Sequence, residues 1–289
     1  MALEALIRDV RLVYERSGET GVPFLTLHGG PGLSGRQGDV ATFARYAEEG
    51  FQVVSYDQRG SGESEGRPPY SHEAWVEDAE ALRQHLGWGP MVLAGGSYGG
   101  HIALEYALRY PQNLLALILR DTAASNAYHA KAMETALNSP YPIDKERLER
   151  LFAGRVHDDE DFKQCYREIL PLYRAEPPSE EEMDRQLAGI IFRHETHNWA
   201  FSQNMASFDL TPRLGEIEVP TLILCGRHDW ITPVEASEEL ASLMPRARLV
   251  IFEQSGHSPQ FEEEDKFHRE VRRFLQEVLP GESRKGLSR

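Results

Sequence analysis

The feature that most restricts this chain is the run Val92-Leu-Ala-Gly95-Gly96-Ser97-Tyr98-Gly99-Gly100-His101, followed by a stretch with helical spacing. An apolar strand turns sharply into a helix at a single serine, framed as G-x-S-x-G. Backbones approach so closely in such a turn that Cβ atoms clash, which is a mechanical reason for the glycines. The turn lifts the Ser97 hydroxyl above the sheet at a helix N-terminus. It also aims the backbone N–H of Tyr98 at the place where an oxyanion forms. The G-x-G-x-x-G spacing of a dinucleotide loop is absent.

The rest of the chain repeats the alternation that such a turn needs. Short apolar runs at 23–28, 51–57, 90–95, 114–121, 220–226 and 247–253 read as buried strands, and Leu6 to Glu15 as an antiparallel edge strand or hairpin. Segments 71–86, 98–110, 233–244 and 263–279 have helical spacing and charged faces. Apolar strands separated by helices predict an α/β fold, a mostly parallel sheet with helices on both faces. Residues 122–210 break the pattern: they are rich in helix formers and charges and are punctuated by prolines. They are expected to form a helical cap inserted between core strands, so that 1–121 and 211–289 form the core. The acidic clusters 157–161 and 179–182 read as solvated helix starts or loops. The C-terminal 281–289 reads as a frayed tail.

Serine needs a base, and the base needs an orienting acid. Asp229 ends the run Leu222-Ile-Leu-Cys-Gly226-Arg-His228-Asp229, just past one apolar strand. His257 follows the next strand, in Gly256-His257-Ser-Pro. Three residue types thus fall in the order Ser, Asp, His, each beyond its own strand, and Ser97, Asp229 and His257 are the expected catalytic set. The glycine loop His28-Gly29-Gly30-Pro31-Gly32 follows an N-terminal strand and offers Gly30 as a second oxyanion donor beside Tyr98. His28 reads as a side chain that orients this loop, Asp57 as a loop brace, and His228 as a local or outward-facing residue. His194 and His197 flank Glu195 without the H-E-x-x-H spacing or an evident third ligand, so no metal is expected.

On His28-Gly-Gly-Pro-Gly32, Asp57-Gln-Arg-Gly-Ser-Gly62, Gly95-Gly-Ser-Tyr-Gly-Gly100, Gly226-Arg-His-Asp229 and Gly256-His257, the chain resembles an α/β-hydrolase of the prolyl iminopeptidase type. The resemblance implies an acyl-enzyme mechanism without a cofactor. Ser97 would attack, His257 move the proton, Asp229 hold the imidazole, and the amides of Gly30 and Tyr98 hold the oxyanion. Aminopeptidases of this family bind the substrate amine with carboxylates, some of them in the cap and in some members one directly after the triad Asp. Trp230 stands at that last position here. Glu195 is the cap candidate for an amine ligand; an alternative alignment puts Asn198 there instead. Trp230, Trp199 and Phe201 suit either an apolar acyl pocket or packing of cap on core. The leading expectation is a prolyl iminopeptidase-like aminopeptidase or amino-acid amidase. The close rival is a carboxylesterase or lactonase for uncharged acyl groups, and a non-catalytic ligand receptor is the remote third.

Composition bounds the partners. Lysine and arginine number 31 against 46 aspartates and glutamates, a net charge of -15, which argues against nucleic acid and anionic lipid and for a small-molecule or short-peptide substrate. The longest apolar run, Leu114 to Leu119, is far below a membrane span, and the N-terminus carries no basic region followed by an apolar stretch. Cys165 and Cys225 have no CxxC spacing and read as free thiols in a reducing compartment. A cytoplasmic location is expected.

Overall fold

The computed structural model describes residues 2–279. The expected tail at 281–289 lies outside them. The N-terminal alternation folds as an antiparallel hairpin, β1 (Leu3–Ile7) and β2 (Val10–Ser17), with Leu3 opposite Tyr14 and Ile7 opposite Val10. Six further strands follow: β3 (Val22–Leu27), β4 (Phe51–Tyr56), β5 (Met91–Gly96), β6 (Leu114–Arg120), β7 (Thr221–Gly226) and β8 (Ala247–Phe252). They form one eight-stranded sheet in the order β1-β2-β4-β3-β5-β6-β7-β8. It is parallel from β4 to β8, and β2 joins β4 antiparallel.

Because side chains alternate across a strand, each inner strand feeds two cores. Leu25, Val54 and Leu93 face one side, with α2 (His72–His85) and α3 (Tyr98–Arg109). Phe24, Val53 and Val92 face the other, where α1 (Gln37–Phe43) and the C-terminal helix (Glu264–Val278) pack. In that helix Phe267, Val271, Phe274 and Leu275 are all buried, each contributing about 1.5–3 kcal/mol relative to exposure. The segment Gln37–Phe43 carries no strong sequence signal: it starts at Arg36 without a side-chain cap and is only two turns long.

Between β6 and β7 the chain forms α4 (His129–Leu137), α5 (Lys145–Phe152), α6 (Asp159–Ile169), α7 (Glu180–Ala188) and α8 (His194–Trp199). The two acidic clusters start α6 and α7. Asp158 caps the first by accepting from the Asp161 N–H, and Ser179 with Glu182 makes a reciprocal capping box on the second. These helices share an apolar cluster of their own, including Phe162, Tyr166, Ile169 and Leu187. A single antiparallel bridge between Ser125 and Asp209 ties the two ends of the insertion together. Helices α9 (Val234–Leu243), α10 (Pro259–Glu262) and α11 (the Glu264–Val278 helix) complete the chain.

Candidate active site

The turn after β5 has the close approach that its glycines suggest. A Cβ at Gly95 would lie 2.4 Å from the Gly99 carbonyl oxygen, and one at Gly99 only 2.1 Å from that of Leu27. Ser97 sits between them at φ 52° and ψ −124°, a conformation that a non-glycine residue adopts at a cost of about 1–3 kcal/mol. The surroundings hold it there. Its N–H donates to Arg120 O at 2.8 Å, and its carbonyl accepts from Gly100 N at 2.9 Å and Thr122 Oγ1 at 2.8 Å. The loop 28–32 lies directly against the serine, since a Cβ at Gly29 would be 2.7 Å from Ser97 Cβ. The Gly30 carbonyl is taken by the amides of Leu33 and Ser34, which turns the peptide. Among the described residues, the N–H groups of Gly30 and Tyr98 have no partner. Two free donors beside a strained serine are the elements of an oxyanion hole.

Past β7 and β8, His257 Nδ1 and Asp229 Oδ2 are 2.7 Å apart, both groups buried. Asp229 also accepts from Ile231 N, Thr232 N and Thr232 Oγ1, so four donors fix its orientation. Burial pushes the His257 pKa down, but the charge and hydrogen bond of Asp229, with Asp121 behind, outweigh it and the net shift is upward. The insertion holds the same residue: the His257 N–H donates to Tyr173 O at 2.8 Å, and the Tyr173 ring stands edge-on to the imidazole. His257 lines one cavity with Ser97.

Asp121 is a site residue that the sequence reading missed. It follows β6 in the left-handed region (φ 47°), fully buried, with Oδ1 accepting from Gly226 N at 3.0 Å and Oδ2 unpartnered. One ligand atom each of Asp121, Asp229 and His257 lie within 4.8 Å of one another. Burial and the neighbouring Asp229 carboxylate push the Asp121 pKa up to about 8, against the opposing pull of His257, Arg120 and the Gly226 N–H. These donors resemble a metal-ligand set in number. However, His257 Nδ1 and the Asp229 oxygens are already committed to one another and to the 231–232 loop. The missed signal was an acid just past an apolar strand, the same pattern that marked Asp229.

Two cavities flank Ser97, both lined by Gly30, Leu33, Tyr166 and Tyr173. The larger, about 530 Å³, also carries His257, Asp121, Arg120, Arg174, Arg185 and Gln260. The smaller, about 80 Å³, is bounded by Leu151, Phe152, Ile169, Phe201, Met205 and Ile231 among others. No Asp or Glu lines it. Its three histidines, His101, His129 and His197, all have pKa values lowered by burial, to about 4 for His197.

The expected substrate-binding residues are not brought to either cavity. Glu195 is exposed, Trp199 is 37% exposed against Tyr70, and Trp230 is buried in the cap cluster against Phe152 and Tyr173. Helix phase explains the first two. His197 and Phe201, four apart and stacked at 4.5 Å, face the small cavity, so Glu195 and Trp199, each two residues from His197, face away. Asn198 is spent on the backbone of Val156. Of the aromatic candidates only Phe201 lines a cavity.

The remaining residues have structural partners. His28 Nε2 accepts from Gln58 N and braces the glycine loop. Asp57 takes Arg36 N at 2.6 Å, Arg36 Nη1 at 2.5 Å and Glu63 N at 2.9 Å. His228 is exposed. His194 pairs with Asp159 while His197 Nε2 meets the Leu151 carbonyl, so the two histidines do not converge.

A strained serine at a strand–helix turn, an Asp–His pair beyond the last two strands, and this sheet order together define a class. The family signature described as the alpha/beta hydrolase fold matches residues 22–264, and the chain belongs to that family. Within it the chain is prolyl iminopeptidase-like in sequence. It is 30% identical over 277 residues to the proline iminopeptidase PfmaB of Pestalotiopsis fici, covering 93% of this chain and 98% of that one. It is 31% identical over 265 residues to the proline iminopeptidase of Saccharolobus solfataricus, covering 88% and 84%. Among solved structures, a thermophilic esterase from Thermogutta terrifontis superposes with a TM-score of 0.74 at 28% identity, covering 96% of this chain and 99% of that one. No helix among the described residues is long and apolar enough to cross a membrane.

Proposed function

We propose that the chain is a serine hydrolase that cleaves an ester or lactone of a small, uncharged acyl group, with residues 122–210 acting as its cap. Ser97 Oγ bonds to the acyl carbon as His257 takes its proton. The carbonyl electron pair moves onto oxygen and is held by the amides of Gly30 and Tyr98, each such donor being worth about 2.7–4 kcal/mol in the transition state. The pair then returns, the bond to the alcohol oxygen breaks, and the His257 imidazolium protonates that oxygen. Water, deprotonated by the same imidazole, attacks the acyl-enzyme, releases the acid and restores Ser97. Asp229 keeps the imidazole in the required tautomer throughout.

The observation that carries the substrate reading is the small cavity. The proton must reach the leaving group, so that group departs on the side lined by His257. The acyl group therefore occupies the other side, where there is no carboxylate and the histidines are neutral. An ammonium there would be desolvated without a counter-charge. A second reading, removal of an N-terminal residue, is favoured by the relatives that are proline iminopeptidases. It requires an acid near the amine, and the acids that border the site, Asp121 and Glu182, both lie on the leaving-group side.

The test compares kcat/KM for proline p-nitroanilide, its N-acetyl derivative and p-nitrophenyl butyrate, with Ser97→Ala as control. Fast ester cleavage with negligible anilide turnover is expected. A strong preference for the free-amine anilide would replace this reading with the aminopeptidase one.

A further inference from the structure

The two sides of Ser97 differ in chemistry. The small side is apolar and uncharged, whereas the 530 Å³ side gathers three arginines in a chain that is strongly acidic overall. Their counter-charges are unequal. Arg120 lies 3.3 Å from Asp39, which does not line the cavity. Arg185 has only the exposed i,i+4 partner Glu181, at 3.1 Å. Arg174 makes no ion pair or side-chain hydrogen bond among the described residues. Of the two acids on the same wall, Glu182 is engaged in capping α7, accepting from Ser179 N at 2.8 Å and from its hydroxyl at 3.0 Å. Asp121 keeps its proton at neutral pH and brings no charge. Gln260 is 6% exposed with no side-chain hydrogen bond, its buried Oε1 unpartnered, so its amide is free to serve a ligand in this cavity.

From this asymmetry we propose that the leaving group of the natural substrate carries a carboxylate, received by Arg174 and Arg185 at the mouth of the cavity with the Gln260 amide beside them. The inference rests on the assignment of the His257 side to the leaving group. It narrows the substrate to the class of acyl esters of a hydroxy acid. Hydrolysis then yields a small apolar acid from one side and a hydroxycarboxylate from the other. Arginine suits this role because its planar fork meets a carboxylate with two parallel hydrogen bonds and stays charged at any working pH.

Two measurements test it. The first takes the butyrate esters of 4-hydroxybenzoate and 4-hydroxybenzamide and reads the ratio of their kcat/KM values in the wild type and in the Arg174→Ala/Arg185→Ala double variant. Comparing ratios cancels the intrinsic reactivity of the two phenols. The wild-type ratio should exceed that of the double variant on the order of tenfold, the scale of a charge-assisted contact to partly hydrated arginines, and the excess should shrink as salt is added. An unchanged ratio would overturn the proposal. The second needs no turnover: 4-hydroxybenzoate and 4-hydroxybenzamide are titrated into Ser97→Ala by calorimetry. Tighter binding of the carboxylate, lost when Arg174 and Arg185 are also replaced, supports the inference even if neither ester is cleaved. Equal binding of acid and amide sinks it, whatever the esters do.

Discussion

Replacing Asp121 with asparagine separates two roles that a carboxyl beside His257 and Asp229 could have. In the folded chain Asp121 keeps its proton up to about pH 8, whereas the unfolded chain releases it near 3.8. A carboxyl raised in this way favours the fold fully below 3.8, and that advantage is lost as pH rises towards 8. At about 1.4 kcal/mol per pH unit, the ionisation gained on unfolding destabilises the wild type by about 4 kcal/mol at pH 7. Asparagine keeps the oxygen that accepts from Gly226 N and cannot ionise in either state. Asp121→Asn should therefore match the wild type near pH 4 and become steadily more stable, by up to about 4 kcal/mol at pH 7. Chemical denaturation at closely spaced pH values reads this directly. A difference that is flat from pH 4 to 8, or of opposite sign, would refute the account of Asp121 as a buried neutral acid. Activity supplies the second readout. With Asp229 as the orienting acid, kcat at pH 7 should stay within a few-fold of the wild type, whereas a loss near 10⁴-fold would make Asp121 the acid that orients His257.

Ser97→Ala should lower kcat by something like 10⁶-fold, as in other triad enzymes, measured with p-nitrophenyl butyrate; retention of more than a few per cent would remove Ser97 from the mechanism. Because the net shift of His257 is upward and the base must be neutral, kcat/KM should fall on acidification with a midpoint above the ordinary 6.5. A flat profile down to pH 4 in folded protein would exclude His257 as base. The same upward shift favours the fold below 6.5, and that contribution fades as pH rises through the folded value. Phe201→Ala opens the small cavity beside Phe152 and His197, so kcat/KM should move towards longer acyl chains in a p-nitrophenyl ester series. An unchanged chain-length preference would place the acyl group elsewhere.

Much of the core was legible because its signals are local. The six parallel strands are apolar runs with turn residues at their ends, and Ser97, Asp229 and His257 each sit just past one of them. His28 and Asp57 also read correctly as braces. What was not legible depends on three-dimensional phase. Which face of α8 meets the site is set by packing of His197 and Phe201, so residues two positions away, Glu195 and Trp199, were misplaced although they lie in the right helix. Trp230 directly follows a site residue, yet its ring packs among cap residues rather than towards substrate. Asp121 was hidden because its run reads as the end of a strand, and only the sheet order sets β6 beside β7 and brings Asp121 near Asp229.

The hydrogen bond from His257 N to Tyr173 O bears on how proteins of this architecture can diversify. An insertion that touched the core only at its two ends would be an exchangeable module, replaced whole to acquire a new substrate. Here one of its carbonyls anchors the loop that carries the base. A grafted cap must therefore reproduce that carbonyl at the same height above the sheet, or its recipient inherits a new pocket with a loosened imidazole. Specificity in this chain is more readily redrawn by side-chain exchange within the existing helices than by exchange of the helices themselves.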